Sequence, residues 1–295
     1  MSAESTPVTS YPGLEDYLSR LYGATHAQTR IWADAEGRVR GRYFNSTLTS
    51  AFQPIRNLDA GKIVGYEGFA RSYSDADQGL CIWKLLDHAA TDDESVELDR
   101  LCRMLHAINF FRQPAAAGAD LYLSVHARLL AAVDGGHGTA FSRVLAALDL
   151  PREKIVLQLP GNIDHQNWLL RYVADNYRGN GFRIAVNAAD AGHALQLAES
   201  VRPEVLKLDA REIAHEDSVM RLLDACHASA TRVVFKRVEN VQTLDTLKWL
   251  AARRGQALHA QGYLWELPQA SLVAHAARSR VDDATPVRSL QSIAV

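Results

Sequence analysis

The strongest constraint on the fold is a regular alternation that begins near Ser50. Short apolar or β-branched runs recur at residues 51–58, 63–70, 121–125, 155–159, 182–186, 205–209, 232–238 and 257–263. Between most of them lie longer stretches with helical period, at 96–110, 141–148, 168–177, 193–201, 219–228 and 241–252. Strand then helix, repeated, requires crossover connections, and crossovers build a parallel sheet. About eight strands over roughly 230 residues is the size of one α/β barrel. An open doubly wound sheet is the alternative, and no glycine-rich phosphate loop follows any strand to support it. The first two runs are separated only by Asp59-Ala60-Gly61-Lys62, a hairpin-like link, so the first strand pair is expected to be antiparallel.

Outside this alternation the chain says less. Residues 1–12 are small, polar and carry two prolines, and are expected to be disordered. Leu14, Leu18, Leu21 and Tyr22 suit one short amphipathic helix. The expected division is an extension at 1–45, a barrel at 46–279 and a tail at 280–295. The expected fold class is therefore α/β, a TIM-like (β/α)8 barrel with an antiparallel first strand and a short N-terminal helical extension. The 295 residues carry a net charge of −2, which offers no general attraction to nucleic acid or to an anionic membrane. No apolar run approaches the roughly 18 residues of a membrane span. The first residues lack the basic-then-apolar order of a signal peptide. Cys81, Cys102 and Cys226 are far apart and odd in number, which fits reduced thiols in a cytoplasmic protein.

Five short motifs stand in order, each at an expected strand end. Phe52-Gln53-Pro54-Ile55 precedes Gly65-Tyr66-Glu67-Gly68-Phe69-Ala70-Arg71. Lys207-Leu208-Asp209, Val238-Glu239 and Gln261-Gly262-Tyr263, with Pro268 beyond, follow. Together they resemble the EAL domain family, bacterial enzymes that hydrolyse cyclic di-GMP with two divalent metals. The resemblance spans about residues 50–270 and itself implies the eight-stranded barrel and the cyclic di-GMP context. In place of Glu-Ala-Leu the chain has Glu67-Gly68-Phe69.

Following the matched positions, the resemblance places the family's metal ligands on residues that have changed. Glu67 survives. The family's asparagine falls at Ser124, its next glutamate at Gln158, its paired aspartates at Asn187 and Ala188, and a later glutamate at Lys236. Lys207 keeps the place of the lysine that orients water. Of five implied carboxylates, one remains and one has become a cation. Hard divalent ions need anionic oxygen ligands, and a lysine beside them is repulsive. The expectation is that no metal binds, that no cofactor is used and that hydrolysis is absent. Glu67 is expected to pair with Lys207 or, if Lys236 occupies the metal position, with Lys236, and an ion pair with Asp209, which shares its strand face, is the alternative for Lys207.

Three functional readings follow, with an active cyclic di-GMP phosphodiesterase as a remote alternative. The first is an inactive EAL-like module in bacterial signalling that acts through a protein partner. The second is a metal-independent cyclic di-GMP receptor. It would use Arg71, Lys207 and Lys236 on the phosphates, with Gln53, Phe69, Glu239, Gln261 and Pro268 lining the nucleotide pocket as the family implies. The third is altered enzymatic chemistry from Ser124 and His126, which share a strand face, although no acid in the sequence is placed to orient the histidine. A bland reading stands beside each: a buried ion pair for Glu67, a surface arginine for Arg71, a hydrogen-bonded filler for His126. Arg253 and Arg254 before Gly255 read as a helix C-terminus.

Overall fold

The computed structural model describes residues 10–22, 30–44, 46–74, 77–78, 91–132, 136, 138–161 and 167–273. Cys81, residues 1–9 and the tail 280–295 lie outside the described residues. The chain runs α1 (Pro12–Tyr22), β1 (Ile31–Ala33), β2 (Val39–Tyr43), β3 (Ser46–Asn57), β4 (Ile63–Ser74) and β5 (Asp77–Gln78). It continues with α2 (Asp92–Phe111), β6 (Asp120–Ser124), α3 (Ala127–Ala132), α4 (Thr139–Ala147), β7 (Ile155–Pro160) and α5 (Asn167–Gly179). Then come β8 (Arg183–Asn187), α6 (Ala191–Ser200), β9 (Val205–Asp209), α7 (Glu216–Ala228), β10 (Arg232–Lys236), α8 (Val241–Arg254) and β11 (His259–Ala260). Among the described residues no helix is long and apolar enough to cross a membrane.

Strands β3, β4 and β6 to β11 close on themselves as the barrel. Successive strands from β4 through β6 to β11 pair in parallel, whereas β3 is antiparallel to both β4 and β11. The reversal comes from the turn after Asn57, whose side-chain carbonyl accepts the backbone N–H of Asp59 and of Ala60, both at 3.0 Å. Gly61 at φ 61° completes the turn. Pro54 is tolerated inside β3 because Phe52, two residues earlier, bonds Gln269 rather than β4. The missing N–H of Pro54 therefore falls on the edge away from the long β3–β4 ladder.

Strand pleating sorts the side chains. Leu121, Leu123, Leu157, Leu159, Ile184, Val186, Leu206 and Leu208 point outward into the main core under the helices. Ile55, Tyr122, Val156, Ala185, Val205 and Val234 point inward as an apolar layer across the barrel. Two residues further along each strand, at the C-terminal ends, the inward positions turn polar: Glu67, Ser124, Gln158, Asn187, Lys207 and Lys236. The period of two thus sets an apolar floor beneath a polar mouth.

Two features of the N-terminal region depart from the sequence reading. The helix begins at Pro12, and Tyr11 packs edge-on against Phe111 at 5.6 Å, so residues 10–12 are ordered rather than disordered. Beyond the helix, β1 and β2 extend the sheet from β3, which the sequence reading did not anticipate. Their anchor is Asn109 of α2, fully buried, whose amide accepts the Val39 N–H at 2.8 Å and donates to the Val39 carbonyl at 2.7 Å. One side chain therefore imitates a neighbouring strand.

Candidate functional site

The mouth of the barrel is organised by one buried ammonium. Lys207 is 0% exposed. Its Nζ donates to Glu67 Oε2 at 2.7 Å, to Gln158 Oε1 at 2.5 Å and to Gln261 Oε1 at 3.1 Å. All three donors of the ammonium are thereby used. Glu67 also accepts from Gln158 Nε2 at 2.9 Å and Gln261 Nε2 at 2.7 Å, so both its oxygens are engaged. The chain of bonds extends to Ser124 Oγ on one side (3.3 Å from Gln158). On the other it passes from Gln261 to Gln53 Oε1 at 3.0 Å and from Gln53 to the Glu266 carbonyl at 2.9 Å. Below, the Tyr122 ring lies 5.7 Å from Lys207 Nζ. Burial works to raise the Glu67 pKa, but the Lys207 charge and the three donors outweigh it and hold the carboxyl below its ordinary value.

Beside this network sits a second lysine. Lys236 Nζ donates to Asn187 Oδ1 at 2.8 Å, so of the two lysines open to Glu67 it is Lys207 that takes it. Burial, and then the Lys207 charge, lower the Lys236 pKa. Of the two partners open to Lys207, it takes Glu67 and not Asp209. Asp209 instead pairs with Arg211 at 2.7 Å and Arg237 at 3.2 Å, and Arg211 above all holds its pKa at about 2. Arg237 adopts φ 61°, a left-handed backbone. Ala188 is buried and offers no ligand; its N–H bonds the Lys207 carbonyl at 2.9 Å.

The residues expected to contact nucleotide separate. Gln53 and Gln261 belong to the Lys207 network. Arg71 lies over the Phe69 ring at 5.8 Å, and its guanidinium donates to the Ala70 carbonyl at 3.1 Å. Both line a cavity of about 490 Å³ together with His106, Ser124, His126 and Pro160. Glu239 is exposed beyond the end of β10, and Pro268 is half-buried beside Gln269 on the segment that bridges to Phe52; neither joins the network. Asp99 accepts the backbone N–H of His126 at 3.0 Å and pairs with Arg103 at 2.6 Å, so it is not engaged as an orienter for the His126 ring.

The structure supplies reasons for one departure and one match at the motifs. A Cβ at Gly68 would sit 3.1 Å from the buried His106 ring, which explains glycine where the family has alanine. A Cβ at Gly262 would sit 2.0 Å from the Val238 carbonyl oxygen, so the Gln-Gly-Tyr glycine is obligatory. His106 and Tyr122 were missed in the sequence; only the shared inward parity of Tyr122 and Ser124 would have marked the latter.

The implied pair of divalent ions does not fit these donors. The oxygens of Gln158 and Gln261 are both given to Lys207, Glu67 is saturated, and the ammonium occupies the centre of the group. Among the described residues no group of three or more His, Cys, Asp or Glu side chains is placed to hold an ion.

The EAL domain family model matches residues 38–268. Among solved structures, the chain is similar to the Bacillus subtilis YkuI protein with an EAL domain, in complex with substrate cyclic di-GMP and calcium. Identity is 21%, TM-score 0.63, with 77% of this chain and 57% of that one covered. It is similar to Klebsiella pneumoniae BlrP1 in a manganese and cyclic di-GMP complex at 19% identity and TM-score 0.62, covering 75% and 56%. The FimX EAL domain from Pseudomonas aeruginosa, bound to cyclic di-GMP, gives 17%, TM-score 0.63, and 76% and 91%. The chain thus spans less than two thirds of the Bacillus and Klebsiella proteins. No curated protein matches it. At these identities the likeness carries the barrel, and the family model carries the membership: the chain belongs to the EAL domain family.

Proposed function

We propose that this EAL domain serves cyclic di-GMP-related signalling in the bacterial cytoplasm without hydrolysing the messenger, and that its output is contact with a protein partner. The observation that carries the reading is the Lys207 ammonium bonded to Glu67, Gln158 and Gln261 in the mouth. A cation already supplies the positive charge that the family's metals bring. Its network is complete within the protein. Lys236 adds a second positive charge beside it, paired only with a neutral amide. The family's route activates water on two divalent metals, and the donor set described above is unsuited to holding them.

A second reading has one observation in its favour. Arg71 stacked on Phe69 beside a cavity of about 490 Å³ is a combination that takes a phosphate and a flat base. In that case the domain is a metal-independent cyclic di-GMP receptor.

Turnover of labelled cyclic di-GMP with Mg²⁺ or Mn²⁺ tests the absence of hydrolysis. The expected result is none; turnover that disappears in Glu67→Gln defeats both readings. Calorimetric titration with cyclic di-GMP in EDTA then separates them. No heat leaves the partner-binding module, which recovery of one specific protein from native lysate supports. Saturable binding weakened by Arg71→Ala establishes the receptor.

A further inference from the structure

Outside the barrel wall, between α2, α4 and β1, lies a second cavity, of about 290 Å³. Leu101, Met104, Phe141, Val144 and Tyr177 form its apolar walls. Arg103 also lines it, although it is only 4% exposed. The Arg103 guanidinium lies 5.3 Å over the Phe141 ring, its Nη2 contacts Asp99 at 2.6 Å and the Tyr177 side chain lies beside it. Tyr177 shares a side-chain hydrogen bond with this guanidinium, and Nε and Nη1 meet no acceptor in good geometry among the described residues. Buried N–H groups are almost always paired, and each of these belongs to a strong charged donor. Two such donors, buried in a residue that lines the cavity, point to an acceptor delivered from outside.

The charge around the cavity specifies that acceptor. Arg30, Arg100 and Arg103 line it, against Glu97 on the lining and Asp99 behind Arg103. Arg30 pairs with Glu97. Among the described residues, three guanidiniums against two carboxylates leave one positive charge, which a single anionic group balances. Ligand pockets run from about 300 Å³ upward and combine apolar walls with a few placed polar groups. This one stands at the small end.

We propose that the cavity binds a small amphipathic monocarboxylate, with its carboxylate on Arg103 and Arg100 and its hydrocarbon body against Leu101, Met104, Phe141 and Val144. The volume suits roughly eight to ten carbons. Arg103 also borders the cavity of about 490 Å³ beside Arg71, but the proposal does not rest on the reading of the barrel mouth.

The test is calorimetric titration of the full chain with octanoate and decanoate, and with 1-octanol as the neutral control. Saturable one-to-one binding of an acid is expected, with 1-octanol at least about tenfold weaker because it forfeits the charge-assisted bonds. Val144→Phe fills the cavity and is expected to abolish binding while circular dichroism shows the fold retained. Ala140→Phe, at the exposed edge of the same cavity, gives the same reading if Val144→Phe does not fold. Arg100→Gln is expected to weaken the acids by roughly threefold to tenfold and leave 1-octanol unchanged. Arg103 is left intact because its removal strands Asp99. Absence of saturable binding by both acids, affinity unchanged in the filled variants, or equal affinity for 1-octanol overturns the proposal.

Discussion

Replacing Lys207 by methionine tests the organisation of the barrel mouth most sharply. The substitution keeps the length of the side chain and deletes its charge. Glu67 is then left with no cation, its side chain 13% exposed. Breaking a buried pair by removing one partner costs about 3–5 kcal/mol, because the survivor is an uncompensated buried charge. The oxygens of Gln158 and Gln261 lose their donor as well, so the upper half of that range is expected. For a domain of this size 1 kcal/mol moves Tm by about 2 °C, giving a fall of roughly 8–10 °C at pH 7.5. In Lys207→Met/Glu67→Gln both charges are gone, and about half of the loss is expected to return.

The pH dependence adds an independent check. In the wild type the Glu67 pKa lies below its ordinary value, so the stability it contributes is present above about pH 4.3 and is lost as pH falls through the lower folded value. Without Lys207, burial dominates and the folded pKa rises instead. The variant's penalty then grows as pH increases past about 4.3. The gap between the two proteins is therefore widest near pH 8 and narrows toward pH 4. Thermal unfolding by circular dichroism across that range, with and without EDTA, measures it. A Tm change under 2 °C, or a gap that widens on acidification, refutes the reasoning.

Other consequences are as direct. Gly262→Ala places a methyl group 2.0 Å from the Val238 carbonyl oxygen and is expected to cost about 3 kcal/mol or more, whereas Gly61→Ala, with open space around it, is expected to cost about 1 kcal/mol for its left-handed backbone. Urea titration of the two variants distinguishes them, and equal losses contradict the packing described. Burial, with Arg71 adding to it, lowers the His106 pKa to about 3, and burial with Arg232 lowers that of His259 to about 4. Both folded values lie below the unfolded value of about 6.5, so stability is full above that pH and falls as acid is added, by up to about 2 kcal/mol per histidine at pH 5. A Tm that does not fall between pH 7 and pH 5, or a fall unchanged in His106→Gln, contradicts this. Restoring acids and amide together (Ser124→Asn, Gln158→Glu, Asn187→Asp, Ala188→Asp, Lys236→Glu) is expected to create saturable Mn²⁺ binding by calorimetry. No heat from a folded quintuple variant shows that more than these residues has changed.

The barrel was legible because its signal is repeated. Eight apolar runs with helices between them, and one hairpin turn at Asp59–Lys62, leave few topologies. The identity of the mouth residues was legible too, since strand ends at Glu67, Gln158 and Lys207 fix which side chains meet. Their pairing was not. Lys207 and Lys236 have the same reach toward Glu67 in sequence, and only the strand stagger gives the carboxylate to Lys207 and leaves Lys236 to Asn187. Asp209 shares a strand face with Lys207, yet the Arg211 and Arg237 guanidiniums reach it first. The hairpin β1–β2 escaped notice because its runs are only three and five residues long and are held by Asn109, far along the chain. Arg103 escaped because nothing in a helical stretch distinguishes a buried arginine from a surface one.

Electron paramagnetic resonance of Mn²⁺ in the presence of the wild-type protein tests most directly whether the Lys207 ammonium has taken the place of metal. The free-ion signal is expected to stay undiminished when protein is added in excess. Loss of one or two equivalents of signal, recovered in Glu67→Gln, would show that an ion displaces the lysine and that the mouth is a metal site after all.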